Sequence, residues 1–164
     1  MDSAEKEKRF LDLVYQNQGI IHKVCYIYCT NKSDREDLYQ EISLQLWKSF
    51  ASFKGRSQFS TWMYRVALNT AINMTKKPAL IHEGDIKAES VPDLSFNDDS
   101  PEELKLLYKG ISMLEKIEKA IILMWLDDKS YREISDTIGI SEKNVSVRLV
   151  RIKQGLTEII EKLL

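Results

Sequence analysis

Apolar residues recur every three or four positions through most of this 164-residue chain, the period of helices that bury one side. The first such run covers about residues 4 to 29. Phe10, Leu13, Val14, Ile20, Ile21, Val24, Ile27 and Tyr28 carry it, with one polar turn at Asn17 and Ser3 placed to cap it. TNKS interrupts the pattern, and Ser33 is the expected cap of DREDLYQEISLQLWKSF, whose first-turn acids suit a helix N-terminus. Leu38, Ile42, Leu46 and Phe50 then form one stripe. Leu44 and Trp47 fall on a second face, and a small helix with two apolar faces usually has a partner for one of them.

FKGRSQFS reads as a loop from its Gly and Ser content. Ser57 or Ser60 is expected to open TWMYRVALNTAINMTKK, with Trp62, Val66 and Ala67 through Ile72 giving the core period, and Pro78 ends this unit. Residues 78–100, PALIHEGDIKAESVPDLSFNDDS, show no period and read as a linker. Ser100 and Pro101 are placed to cap and open the next helix. Ser112-x-x-Glu115 and Ser130-x-x-Glu133 both match a capping box, the first ahead of a helix reaching about Leu126. No strand pattern or internal repeat survives this reading. The expected fold is all-α: two small helical domains, residues 1–77 and 101–164, joined by a flexible acidic linker at 78–100.

The stretch SYREISDTIGISEKNVSVRLVRIK, residues 130–153, is two short helical patterns hinged on Gly139. Tyr131, Ile134 and Ile138 form the expected buried side of the first. Gly139 supplies a left-handed stop, and Ser141 caps the second. At 100° per residue Val145, Leu149, Ile152 and Leu156 point inward. Lys143, Asn144, Val147, Val150 and Arg151 then share the opposite side, with Ser146 and Arg148 flanking them. Amide, guanidinium and small apolar groups on one helix suit major-groove readout by a helix-turn-helix. Packing of this helix on another protein is the plainer alternative.

Charge changes that picture. The formal net charge of −1 looks wrong for a DNA reader. Residues 1–77, however, hold 12 Lys+Arg against 8 Asp+Glu, a balance of +4. Residues 78–101 hold one Lys against six acids, and residues 102–164 hold 11 of each sign. A basic domain, an acidic connector and a mixed domain are therefore hidden in a near-neutral total. The longest strongly apolar run, AIILMWL, is too short to span a bilayer, and the charged N-terminus lacks a signal-peptide core, so the expected location is the cytoplasm. Cys25 and Cys29, with His22 one turn earlier, read as buried thiols rather than as metal ligands. With no catalytic triad, phosphate-binding Gly-rich loop or metal-ligand cluster, no cofactor and no enzyme chemistry are expected.

DREDLYQEISLQLWKSFASFKGRSQFSTWMYRVALNTAIN followed, beyond the linker, by IEKAIILMWLDDKSYREISDTIGISEKNVSVRLVRIK resembles a bacterial RNA polymerase sigma factor of the extracytoplasmic function (ECF) subfamily. The second block is also similar to the form common in Bacteroidetes. The resemblance covers nearly all of the chain except the linker and first few residues. It implies a non-catalytic factor that directs core polymerase to promoters and assists initiation. Asp34, Asp37, Gln40, Glu41, Leu44, Trp47 and Lys48 match positions that dock on the β′ clamp helices, with filling of the three-helix core as the lesser alternative for Trp47. The following loop and helix would hold the −10 element as single-stranded DNA, a task for cations and flat or hydrogen-bonding groups. Lys54, Arg56, Ser57, Phe59, Arg65, Asn69 and Asn73 offer those types. Phe59 and Trp62 also suit a core, Trp62 more readily, and residues 54 to 58 are the better candidates for a flipped-base pocket.

The hinge unit would read the −35 element as duplex through Lys143, Asn144, Ser146, Val147, Arg148, Val150 and Arg151. Lys143-Asn144 replaces the family's glycine-threonine pair, and Ser146-Val147 replaces its basic residue followed by Ser. The −35 sequences of well-known members therefore do not transfer. By the same resemblance the connector threads toward the polymerase active site, and the β subunit and an anti-sigma factor, often membrane-anchored, are further partners. No small-molecule substrate is implied. Two rivals remain at this point: a free-standing helix-turn-helix repressor whose first helices form a dimer interface, and an adaptor that binds only proteins.

Overall fold

The computed structural model describes residues 2–75 and 101–164, so the linker expected at 78–100 lies outside the described residues. Within them the fold is all-α, with eight α-helices and no strand. Four belong to the first block: α1 (Ser3–Gln16), α2 (Gln18–Tyr28), α3 (Lys32–Ser49) and α4 (Phe59–Met74). Four belong to the second: α5 (Glu102–Ser112), α6 (Lys116–Leu126), α7 (Tyr131–Ile138) and α8 (Glu142–Leu163).

The single run expected over 4–29 is two helices broken at Asn17, whose side chain donates to the Leu13 carbonyl. Several expected caps shift by a residue or two, because another side chain reaches the orphan N–H groups first. Asp2, not Ser3, accepts from the Glu5 N–H. Asn31, not Ser33, accepts from the Asp34 N–H. Helix α4 starts at Phe59 behind Gln58, so neither Ser57 nor Ser60 caps it. Ser112 is the last residue of α5, and its hydroxyl donates to the Lys109 carbonyl; α6 starts behind Glu115 with no side-chain cap. Pro101 precedes α5, and Ser100 lies outside the described residues. The Ser130–Glu133 box is present with both of its bonds, and Ser141 caps α8 through the Asn144 N–H.

In the first block α2, α3 and α4 pack around Ile21, Val24, Leu38, Ile42, Leu46, Met63, Tyr64, Ala67 and Leu68, all buried. Of the residues expected inside α4, Ala67, Leu68, Thr70 and Ala71 are buried, whereas Trp62, Val66 and Ile72 are half-buried and pack against the margin of the core. In the second block α8 crosses α5 closely. A Cβ on Gly110 would stand 3.0 Å from Leu156 Cδ1 and 3.1 Å from Ile160 Cγ1, so only glycine fits this crossing without displacement.

The two blocks are packed together through α2 and α4 on one side and α5, α6 and α7 on the other. Polar groups stitch this seam. Tyr28 Oη donates to the Lys116 carbonyl at 2.6 Å, and Lys116 Nζ donates to the Thr75 carbonyl at 2.7 Å. Tyr64 Oη donates to Asp127 at 2.8 Å, with Lys23 at 3.8 Å from the same carboxylate. Thr61 donates to Glu133, and Lys129, only 8% exposed, reaches both Gln58 and Ser60. A buried ammonium tolerates such a position because these oxygens replace its water shell.

Candidate nucleic-acid interface

The helix-turn-helix forms as its sequence dictates. Helix α7 stops at Gly139, whose φ of 85° is in the left-handed region that glycine occupies without a Cβ clash. Ser135 then donates to the Ile140 carbonyl across the turn. Val145, Leu149, Ile152 and Leu156 are all buried, which turns the other side of α8 outward. Lys143, Asn144, Val147, Arg148, Val150 and Arg151 are exposed there, and Ser146 is half-buried. Val147 and Val150 are 44% and 57% exposed. Tyr131, expected inside, is 40% exposed, whereas Ile134 is buried and Ile138, half-buried, packs against the core.

In the first block the loop between α3 and α4 turns through Gly55, at a left-handed φ of 74°. Lys54, Arg56 and Ser57 are exposed on it. Arg65, Asn69 and Asn73, spaced by four along α4, are exposed on one row and continue the polar surface. Phe59 departs from its expected place. It is buried in an aromatic cluster with Phe50, Phe53 and Trp62, at ring-centroid separations of 6.4, 5.5 and 5.3 Å. Its faces are covered by other rings, so it anchors the loop rather than presenting a stacking surface to a base.

On α3 the stripe of Leu38, Ile42, Leu46 and Phe50 is buried, and Leu44 and Trp47 are 43% and 42% exposed. Trp47 does not fill the helical core. It leans edge-on against Phe10 of α1 at 5.1 Å, with Lys6 5.9 Å above its ring. Asp37, Gln40 and Lys48 are exposed on the same arc, whereas Asp34 and Glu41 are half-buried. Glu41 accepts from Gln45 at the margin of this arc, where α3 faces α4. Asp34 accepts from the Asn31 side chain at the helix start.

Cys25 is buried and Cys29 half-buried, neither in a disulfide. Burial, ahead of the nearby Asp34 carboxylate, pushes the Cys29 thiol up to about 12. Among the described residues no group of three or more His, Cys, Asp and Glu could hold a metal ion. Nor is any described helix long and apolar enough to cross a membrane.

The helix-turn-helix and the polar loop-and-helix surface occupy separate blocks, and each block matches a different family model. Residues 13–79 match Sigma-70 region 2, and residues 104–156 match Sigma-70, region 4. The ECF RNA polymerase sigma-E factor of Haemophilus influenzae is 30% identical over 172 residues, covering 96% of this chain and 90% of that protein. The chain belongs to the ECF sigma factors. The ECF RNA polymerase sigma factor SigW of Bacillus subtilis is a further relative, 27% identical over 161 residues and covering 90% of this sigma factor and 86% of its own length.

Two solved structures share the fold. The sigma factor RpoE in complex with the anti-sigma factor NepR, from Bartonella quintana, has a TM-score of 0.73 at 18% identity and covers 94% of this chain and 98% of its own. CnrH in complex with the cytosolic domain of CnrY has a TM-score of 0.67 at 17% identity and covers 95% and 90%. The present chain is thus an ECF sigma factor, which directs core RNA polymerase to promoters and takes part in the initiation of transcription. The features that sequence reasoning missed in this sigma factor are the seam residues Asp127 and Lys129 and the bond from Thr61 to Glu133, which the sequence marks only as a capping-box partner. Nothing in their periodicity marks them, since each sits in or beside a turn and acts through the opposite block.

Proposed function

We infer that three exposed surfaces divide the work of initiation. Leu44 and Trp47, with Asp37, Gln40 and Lys48 around them and Asp34 and Glu41 at its margins, form the surface for the β′ clamp helices of core polymerase. Lys54, Arg56, Ser57, Arg65, Asn69 and Asn73 form the surface for the single-stranded −10 element, with Phe59 supporting the loop from beneath. Lys143, Asn144, Ser146, Val147, Arg148, Val150 and Arg151 form the surface for the −35 duplex. The observation that carries this reading is that α8 turns its only broad polar side outward, directly after a capped hinge. The sigma factor itself catalyses no step and works in the cytoplasm, where core polymerase and DNA meet.

An anti-sigma factor is a further partner, since two proteins of the same fold are described in complexes with NepR and with the cytosolic domain of CnrY. The β subunit and a membrane anchor for the anti-sigma partner rest on the family resemblance. The domain limits of 1–77 and 101–164 are part of the same reading.

Transcription in vitro with purified core enzyme tests it. A promoter-specific transcript that depends on this protein is expected. Trp47→Ala should weaken core binding about tenfold or more, the usual cost of removing an aromatic anchor. A protein that gives no transcript but alone protects a symmetric DNA site would instead be a repressor.

A further inference from the structure

Helix α1 gives little to the core of the first block. Of its side chains only Phe10 is buried, while Leu13 and Val14 are half-buried against the core. The match to Sigma-70 region 2 begins at residue 13, so most of this helix, from Ser3 to Asp12, lies ahead of it. What α1 provides instead is a rim for Trp47. Phe10 meets the indole edge-on at 5.1 Å, so this exposed ring rests on α1. Lys6 Nζ stands 5.9 Å from the centre of the same ring, and the Arg9 guanidinium stands 6.0 Å from that of Phe50. At exposed sites such cation–π contacts are weak, so they orient the two cations without using up their charge.

Lys48, next to Trp47, is a third exposed cation at this end of α3. Among the described residues Lys6, Arg9 and Lys48 take part in no ion pair. Glu5, four residues before Arg9 and so placed to pair with it, does not. Acids gather at the other end of α3, where Asp34, Glu36 and Asp37 stand in its first turns. The helix dipole favours that order within α3 itself. It does not account for Lys6 and Arg9, which come from the N-terminal half of another helix, where the dipole gives a cation no advantage. Exposed apolar groups edged by unpaired charge of one sign have the make-up of an interface, an apolar centre with a polar rim.

We propose that α1 is part of the polymerase-docking surface, with Lys6 and Arg9 engaging acidic side chains of the β′ clamp helices beside Trp47. This rests on the reading of Leu44 and Trp47 as the clamp-helix surface, and it adds two contact residues from a helix ahead of the family match. The partner that fits is a helix face with an apolar centre and carboxylates at one end. Turned end for end, those carboxylates would meet Asp34 and Asp37, like charge against like, so the charge order also fixes the sense of docking.

The test is the affinity of the full chain for core polymerase, measured over a range of salt concentrations. Lys6→Glu combined with Arg9→Glu should weaken binding about tenfold or more at low salt, since like charges then face each other. The gap should close as salt screens them. The neutral pair, Lys6→Gln with Arg9→Gln, should lose less than the reversed pair. Lys8→Glu, on the far side of α1 from Phe10 at about 100° per residue, should stay within about twofold of wild type, as an exposed charge outside the contact would. Among clamp-helix variants with one acid changed to lysine, at least one should bind the reversed protein more tightly than it binds wild type. A reversed pair that binds as wild type does, a loss independent of salt, a loss matched by Lys8→Glu, or no clamp-helix variant that restores binding would each overturn the proposal. Trp47→Ala separates it from the reading beneath it. If that variant weakens core binding and the reversed pair does not, the role of α1 alone falls. If Trp47→Ala leaves core binding unchanged, the clamp-helix surface itself falls, and α1 with it.

Discussion

Val147 and Val150 are apolar side chains held out in water on a helix whose inner face is otherwise well filled. Exposed valines contribute little to folding but pack well on a thymine methyl group. Val147→Ala and Val150→Ala should each reduce discrimination for T at one −35 position by about fivefold, near 1 kcal/mol, with the fold intact. Selection from a −35 site library measures this, and an unchanged preference would count against the assignment. Cys29 gives a second expectation. With its thiol raised to about 12, it should resist iodoacetamide at pH 8 in native protein and react only after denaturation, as mass spectrometry would show. At this scale the sequence was most legible on α8, because 100° steps separate inner from outer residues without any knowledge of neighbours. It was least legible at Phe59, where the same side chain suits a core or a base, and only the positions of Phe50, Phe53 and Trp62 decide.

Helices were readable as elements, and their ends less so. The Ser130–Glu133 box and Gly139 stop formed as written, since cap, box partner and hinge are all local. The Ser112 box failed because α5 continues through that residue and its carbonyls claim the hydroxyl. A capping motif states what a chain can do at a helix start, not that a start occurs there. Two glycines make the contrast with tertiary packing measurable. Gly155, inside α8, has nothing within 4 Å of the point where an alanine methyl would stand, so Gly155→Ala should stabilise the protein by about 0.5–1 kcal/mol. Gly110→Leu should instead destabilise it by about 1–3 kcal/mol, because the crossing with Leu156 and Ile160 is already full. Thermal unfolding of both variants checks the pair, and no helical pattern in the sequence distinguishes these positions.

The whole molecule shows what periodicity could not reveal, that the two blocks dock. Glu133 illustrates how the seam depends on pH. The hydrogen bond from Thr61 lowers its carboxyl below the usual range, so its contribution is present at neutral pH and is lost as pH falls through that lowered value. Fluorescence transfer between dyes on the two blocks should therefore fall in acid, and Glu133→Gln should flatten this dependence. Docking also limits reach. From Gln58 through Lys129 and along the chain to Asn144, the path is at most about 50 Å. The positions named −10 and −35 are about 85 Å apart on duplex DNA. A seam that stays closed is therefore expected to keep the proposed −10 and −35 surfaces from engaging one promoter together. A short bis-maleimide bridge between Ser60→Cys and Lys129→Cys should abolish promoter-specific transcription, and the unbridged double variant should retain it.

Lys116 holds the carbonyl of Thr75, the residue from which the chain departs toward Pro101. Once the seam opens, covalent geometry alone permits the 26 steps between those two residues to span at most about 90 Å. That length caps how far apart Thr75 and Pro101 can move, so the residue count of the connector joins the size of the two blocks in setting the widest promoter spacing that the proposed surfaces can serve.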